Sequence, residues 1–380
     1  MKKIVNIIFI LVVVFTITAC ESNQGVPNGL QPILPIDDCN EPFLEGGWVC
    51  IWADEFEGDE IDRSKWNFET GGHGWGNNEL QYYREENASI VDGKLVITAK
   101  NESFGGRQYT SARMTTKYRG DFRYARIVVS AKMPSGVGTW PAIWMMPTMN
   151  RYGTWPNSGE IDIMEYVGYD PDVIHTTIHT AKFNHNIGTQ LGYSKRIQNA
   201  ETEFHEYEII WSPGRIESFV NGERYGQFAY SAAFNQDVDY DRAFPFDQLF
   251  YIILNVAVGG NWGGREGVDP EAFPTSMEVD YVRVYQLDYA TLDKEPPSTP
   301  TNLRIAQQLA NSIFWQPSTD DVGVEKYDIY IDGEFRQYTN LNQVRLSNLE
   351  RGRTYQVQVR AIDFVGRESD LSETLLVEFQ

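Results

Sequence analysis

The sequence predicts an all-β chain, a large sandwich of two packed antiparallel sheets followed by a smaller second sandwich. Three observations carry that prediction. From Trp48 onward, apolar residues recur in runs of strand length bounded by Gly, Pro, Asn and Asp. No stretch keeps the apolar period of a long helix. A chain of 380 residues is long enough for two domains, and Pro296, Pro297 and Pro300 mark a break near its last quarter.

Taken in order, residues 1–20 have the form of an export signal. Lys2 and Lys3 precede an apolar stretch, Ile4 to Ile17, too short to span a bilayer securely. Ile17-Thr18-Ala19-Cys20 resembles a bacterial lipobox, so Cys20 is expected to carry lipid and become the mature N-terminus. The protein is then expected to be an exported lipoprotein of the outer membrane or cell surface. Residues 21–44, rich in Pro, Gly, Asn and Asp, are expected to be a flexible tether. The remaining cysteines, Cys39 and Cys50, should pair as a disulfide in an oxidising compartment.

The large domain is expected over residues 45–288. Residues 95–99 and 125–131 are short β runs. Residues 206–211, a Pro213-Gly214 turn and residues 216–220 form a hairpin, and Asn221-Gly222 has the signature of a type I′ turn. The unbroken apolar run 250–258 suggests a central strand buried on both faces. Residues 277–287 alternate again and should close a sheet. Two antiparallel sheets in a jelly roll fit this pattern. A Pro-rich linker follows over 289–300, then a module over 301–380.

The formal net charge of −21 argues against nucleic acid and strongly anionic polymers as partners. Ten Trp and twenty-one Tyr exceed what a β core alone asks for. Trp beside Gly and acidic residues suits sugars, whose apolar ring faces stack on indoles.

The most informative stretch is Gly159-Glu160-Ile161-Asp162-Ile163-Met164-Glu165. In a regular strand Glu160 and Asp162 share one face while Ile161 and Ile163 share the other. Glu165 then falls on the apolar face, unless a β-bulge near Met164 adds one residue and returns it to the acidic side. A half-exposed strand whose acids merely face water would show the same alternation. The crowding of like charges favours a site, because it is costly and marks function. Trp140, Trp144 and Trp155 lie just upstream, His175 and His179 just downstream.

The segment 155–165 resembles the active-site strand of laminarinase-type members of glycoside hydrolase family 16. So do Gly138-Thr139-Trp140-Pro141-Ala142-Ile143-Trp144 before it and Val258-Gly259-Gly260-Asn261-Trp262-Gly263-Gly264 after it. The similarity runs over about residues 48–286 and implies a concanavalin-like jelly roll with a concave substrate groove. It implies Glu160 as nucleophile, Glu165 as acid/base and Asp162 as the residue orienting Glu160. Retaining enzymes hold the two carboxyl groups about 5–5.5 Å apart. Catalysis itself would need no cofactor. The resemblance puts one histidine of the 175/179 pair beside the acid/base, with His179 preferred. A metal held by both histidines is the competing idea, the rest of its ligand set being absent from the local sequence. Trp140, Trp144, Trp155 and Trp262 are candidates for the sugar platform, and Asn78 and Arg113 for hydrogen bonds to glucose hydroxyls. Many members also bind one structural calcium ion, and the matching positions are Glu57, the Gly93 carbonyl and Asp280.

The tail resembles a fibronectin type III module, with Trp315 as its core tryptophan and Tyr355 in a corner-tyrosine motif after Leu349. Such modules are mostly spacers or contact surfaces. The expectation is an endo-acting, retaining hydrolase of β-1,3-glucan, monomeric and lipid-anchored. Mixed-linkage β-1,3-1,4-glucan is the nearest rival substrate. Sulfated galactan fits the acidic chain poorly. A non-catalytic glucan-binding lipoprotein or an adhesion scaffold would gain nothing from three crowded acids.

Overall fold

The computed structural model describes residues 34–230, 240–306 and 311–379. The signal, Cys20 and the first part of the tether lie outside those residues. The large domain's principal strands are β1 (Trp48–Asp54), β2 (Lys94–Phe104), β3 (Arg113–Thr115), β4 (Arg126–Lys132), β5 (Thr139–Pro147), β6 (Glu160–Tyr166), β7 (Val173–His179), β8 (Leu191–Arg196), β9 (His205–Ser212), β10 (Arg215–Val220), β11 (Glu223–Ala229), β12 (Phe250–Val258) and β13 (Thr275–Leu287). They form two sheets. One runs β11-β10-β9-β4-β13-β2, with β1 also paired to β13; the other runs β8-β7-β6-β5-β12-β3. Helices among the described residues are single turns.

The core lies between the sheets, built from the inward residue of each pleat. Ile127, Val129 and Ala131 of β4 and Val282 and Val284 of β13 meet Ile143 and Met145 of β5, Ile161 of β6 and Leu254 and Val256 of β12. All nine residues of β12 are buried, as its apolar run suggested. One face joins the core; the other, with Asn255 and Ala257, floors a cleft. The β9–β10 hairpin and the Asn221-Gly222 turn form as expected, both turn residues having positive φ, 49° at Asn221 and 75° at Gly222. β13 does not close its sheet. It is central, flanked by β4 on one side and by β1 and β2 in series on the other.

One further expectation needs correction. The described end of the tether, from residue 34, is not loose. Ile36 N donates to Cys50 O at 3.2 Å, residues Phe43–Leu44 pair with β1, and Cys39 is bonded to Cys50 beneath Val128 and Tyr285. The Pro-rich linker is also anchored: Asp293 is buried and paired with Arg367, and Ser298 N donates to Thr319 O at 2.9 Å. The module is a sandwich of a three- and a four-stranded sheet. Its core holds Trp315 and Tyr355, and the Tyr355 hydroxyl accepts from Glu350 N at 2.9 Å.

Candidate active site

Gly159 sets the entry into β6. Its φ of 88° suits glycine, and a Cβ there would lie 2.8 Å from the Phe246 ring. Along β6 the register then slips. Ala142 and Ile143 of β5 face Glu165 and Met164, but Trp144 faces Asp162. On the β7 side Glu165 faces His175 and Asp162 faces Thr177, so Ile163 and Met164 together stand opposite Thr176 alone. This is a β-bulge. Its two residues both turn into the core, 1% and 0% exposed, which flips the parity of everything after them. Glu160, Asp162 and Glu165 therefore line one cleft of about 530 Å³.

Each acid has its own partner. Trp155 Nε1 donates to Glu160 Oε2 at 2.9 Å, and Trp140 Nε1 donates to Glu165 Oε1 at 3.1 Å. His179 Nε2 lies 3.6 Å from Glu160 Oε1 and 3.4 Å from Asp162 Oδ2. Burial pushes all three carboxyls up, to about 8. The charge of Asp162 adds to the effect at Glu160 and Glu165, while His179 and the indole donors oppose it there. Such a pocket resists holding three anions and tends to keep a proton. Glu160 retains 15% of its side-chain surface toward the cleft against 4% for Asp162, so water relieves the glutamate more.

The histidine assignment needs correction. His179 sits beside Glu160 and Asp162, whereas His175 is the register partner of Glu165. The antiparallel pairing places the later histidine against the earlier glutamate. His175 packs edge-on against Trp262, and burial lowers its pKa. A site shared by both histidines is thus not formed. Glu160, Asp162 and His179 do bring ligand-type atoms within 4.8 Å of one another, a cluster centred on the acids.

Trp140, Trp144, Trp155 and Arg113 line the cleft. The Arg113 guanidinium lies between the Trp75 and Trp144 rings, 4.8 and 4.7 Å from their centroids, and its Nε donates to Glu69. Trp262 and Asn78 do not line the cleft. Trp262 backs Trp140 edge-on at 5.6 Å. Asn78 is in the left-handed region, and its side chain bonds Asn261 at 2.8 Å on the exposed rim. Its neighbours Asn77 and Glu79 face the cleft instead. Glu79 is buried, with Gln81 Nε2 and the Tyr83 hydroxyl donating to it; the chain continues through Asn255 to Trp144. Sequence reasoning missed Trp75, Asn77, Glu79, His185 and Asn255. The first three stand in the Trp75–Glu79 stretch from which Asn78 alone was chosen, and an isolated polar residue in an apolar run marked Asn255.

The expected calcium ligands lie on the other sheet. Val282 of β13 pairs with Asp54 and Val279 pairs with Leu95, so Glu57, just after β1, and Gly93, just before β2, lie at the ends of the two strands that flank Asp280. Two carboxylates and a carbonyl, all partly or fully exposed, suit a hard cation. Lys94 Nζ stands 3.8 Å from Asp280 Oδ1 and Asn40 Nδ2 donates to Glu57, so both acids already have modest partners.

Residues 75–283 match the family model of glycosyl hydrolases family 16, and residues 298–377 match that of the fibronectin type III domain. A beta-glucanase of Rhodothermus marinus is 51% identical over 245 residues, covering 63% of this chain and 85% of the relative. The crystal structure of the laminarinase from Rhodothermus marinus superposes with a TM-score of 0.61 at 51% identity, covering 63% of this chain and 97% of that one. A non-specific endo-beta-1,3(4)-glucanase structure gives 0.59 at 41% identity, covering 69% and 96%.

Proposed function

Since the chain belongs to glycosyl hydrolases family 16, we propose that this glycoside hydrolase cleaves β-1,3-glucan internally and with retention of configuration. The observation that carries the mechanism is the bulge at Ile163-Met164, which puts Glu160 and Glu165 on one face with Asp162 between them. Glu160 attacks the anomeric carbon, and Glu165 protonates the departing glycosidic oxygen. Glu165 then takes a proton from water, which attacks the glycosyl-enzyme and releases Glu160. The Trp155 N–H and nearby His179 favour negative charge on Glu160, as the Trp140 N–H does on Glu165, and the double displacement itself assigns the retained proton to Glu165. Asp162, in reach of His179, orients the nucleophile and tunes the shared charge.

The test is stereochemical. NMR of the first product should show the β anomer, and an α anomer would sink the scheme. Glu160→Ser should fold, lose hydrolysis and couple sugars from an α-glucosyl fluoride. Glu165→Ala should recover on a good leaving group with azide, yielding a β-glucosyl azide.

Mixed-linkage β-1,3-1,4-glucan is a second substrate reading, supported by the similarity to the non-specific endo-beta-1,3(4)-glucanase. Oligosaccharides released from laminarin, lichenan, curdlan and agarose separate the two. Export as a lipoprotein through Cys20 places the enzyme where such polymers are met. Glu57, Gly93 and Asp280 would hold a calcium ion that ties strand ends together and takes no part in the chemistry.

A further inference from the structure

The module meets the large domain through specific side chains. Tyr289 stacks on Phe364 with centroids 4.2 Å apart, and Phe364 packs against the large domain's core. Arg123 Nη2 lies 2.9 Å from Glu325 Oε1. One more contact reaches the active-site approach. Arg151 Nη2 donates to the Tyr338 hydroxyl at 3.2 Å, Tyr338 belonging to the module strand Glu334–Thr339.

Arg151 stands in the loop 148–158, which ends at the catalytic strand. The same guanidinium is 3.7 Å from Asp247, and the Tyr152 hydroxyl lies 2.9 and 2.8 Å from the Asp247 oxygens. Ser158 closes the loop, accepting from Tyr152 N at 3.0 Å and donating to Gly153 O at 2.7 Å. Held between these points is Trp155, whose indole N–H donates to Glu160. A continuous set of contacts therefore runs from the module to the nucleophile. We infer that the C-terminal module is a positioning partner of the active site, with Tyr338 and Arg151 holding the loop that presents Trp155 to Glu160. This rests on the reading of Glu160 as nucleophile.

The physical consequence follows from the donor. An N–H aimed at a carboxylate favours the anion. Loosening the loop weakens that bond, so the nucleophile ionises at higher pH. Asp162 and Glu165 on its own strand and His179 from β7 also act on Glu160, while His185, from the short turn His185–Ile187, packs against Trp155 and His179. β5 carries no titratable residue.

Kinetics and hydrogen exchange on the full-length protein test the inference. Tyr338→Phe should raise KM for laminarin about two- to ten-fold, the range of one net hydrogen bond, with kcat little changed. It should move the acid limb of kcat/KM to higher pH and speed amide exchange across residues 149–158. Trp155→Phe should shift the acid limb further in the same direction. The double variant should match Trp155→Phe alone in that limb, because the route from Tyr338 runs through the indole. Exchange in 149–158 identical to wild type, or limb shifts that add in full, would overturn the inference. An inactive wild type would defeat the substrate reading, while the exchange measurement still decides the coupling.

Discussion

Neutralising Asp162 should stabilise the protein, and only at higher pH. Its carboxyl is 3% exposed, and burial raises its pKa from 3.8 to about 8. The folded state thus prefers the neutral acid, whereas the unfolded chain ionises it near pH 4. The wild type keeps this site's full stability below about pH 4, loses it progressively between 4 and 8, and loses no more above 8. At about 1.4 kcal/mol per pKa unit the ceiling is about 6 kcal/mol. His179, 3.4 Å away, offsets part of that, and the three acids share one charge problem. About 2–3 kcal/mol is the expected gain for Asp162→Asn at pH 9, or roughly 4–12 °C in Tm for a domain of this size. Differential scanning calorimetry from pH 4 to 9 measures it. The raised carboxyls of the module are common to both proteins and cancel in the difference. A gain of equal size at pH 4 and pH 9, or none at pH 9, refutes the reasoning, because a packing effect would not follow the titration. The variant should also lose activity, though less than Glu160→Ser or Glu165→Ala, since Asp162 supports the nucleophile without attacking.

Two other outcomes are expected. Cys20→Ser should move the protein from the membrane fraction to the soluble one, and a wild type found soluble and unacylated would dismiss the anchor. Adding calcium to chelator-treated protein should raise the large domain's Tm by a few degrees without changing kcat, and Asp280→Asn should abolish that rise; an unchanged Tm removes the ion from the account.

Much of the architecture was legible because strands announce themselves by period and turns by residue type. Asn221-Gly222 names its own turn, and the run 250–258 names its own burial. The bulge was legible for a different reason: three acids make chemical sense only on one face, and the strand period alone would have separated them. What stayed hidden depends on partners distant in sequence. Which histidine meets which glutamate is decided by the β6–β7 register, a property of the pair of strands. The wall opposite the acids comes from Trp75, Glu79 and Asn255, brought together by sheet order. The choice of Asn78 failed because left-handed conformations at Trp75, Gly76 and Asn78 redirect successive side chains, and local pattern carries no trace of that. Residues 34–44 looked like a tether from composition although Cys39 was expected to pair with Cys50; what composition does not show is the short strand Phe43–Leu44 that joins the disulfide in pinning them to β1.

The site also explains why its central acid is the short one. Same-face residues on a strand are about 6.5–7 Å apart, so two glutamates separated by one further same-face residue lie about 13 Å apart along the backbone. They must lean toward each other to act on one bond. A bulge bends the strand and sharpens its twist at that point, which brings side chains from its two ends toward convergence. An aspartate between them leaves room for the sugar that a third glutamate would fill. The indoles complete the arrangement from outside, Trp155 reaching Glu160 and Trp140 reaching Glu165, so each glutamate is held by its own donor. Packing the acids into this wall leaves water little access to them, so their raised pKa values and their geometry share one cause, burial.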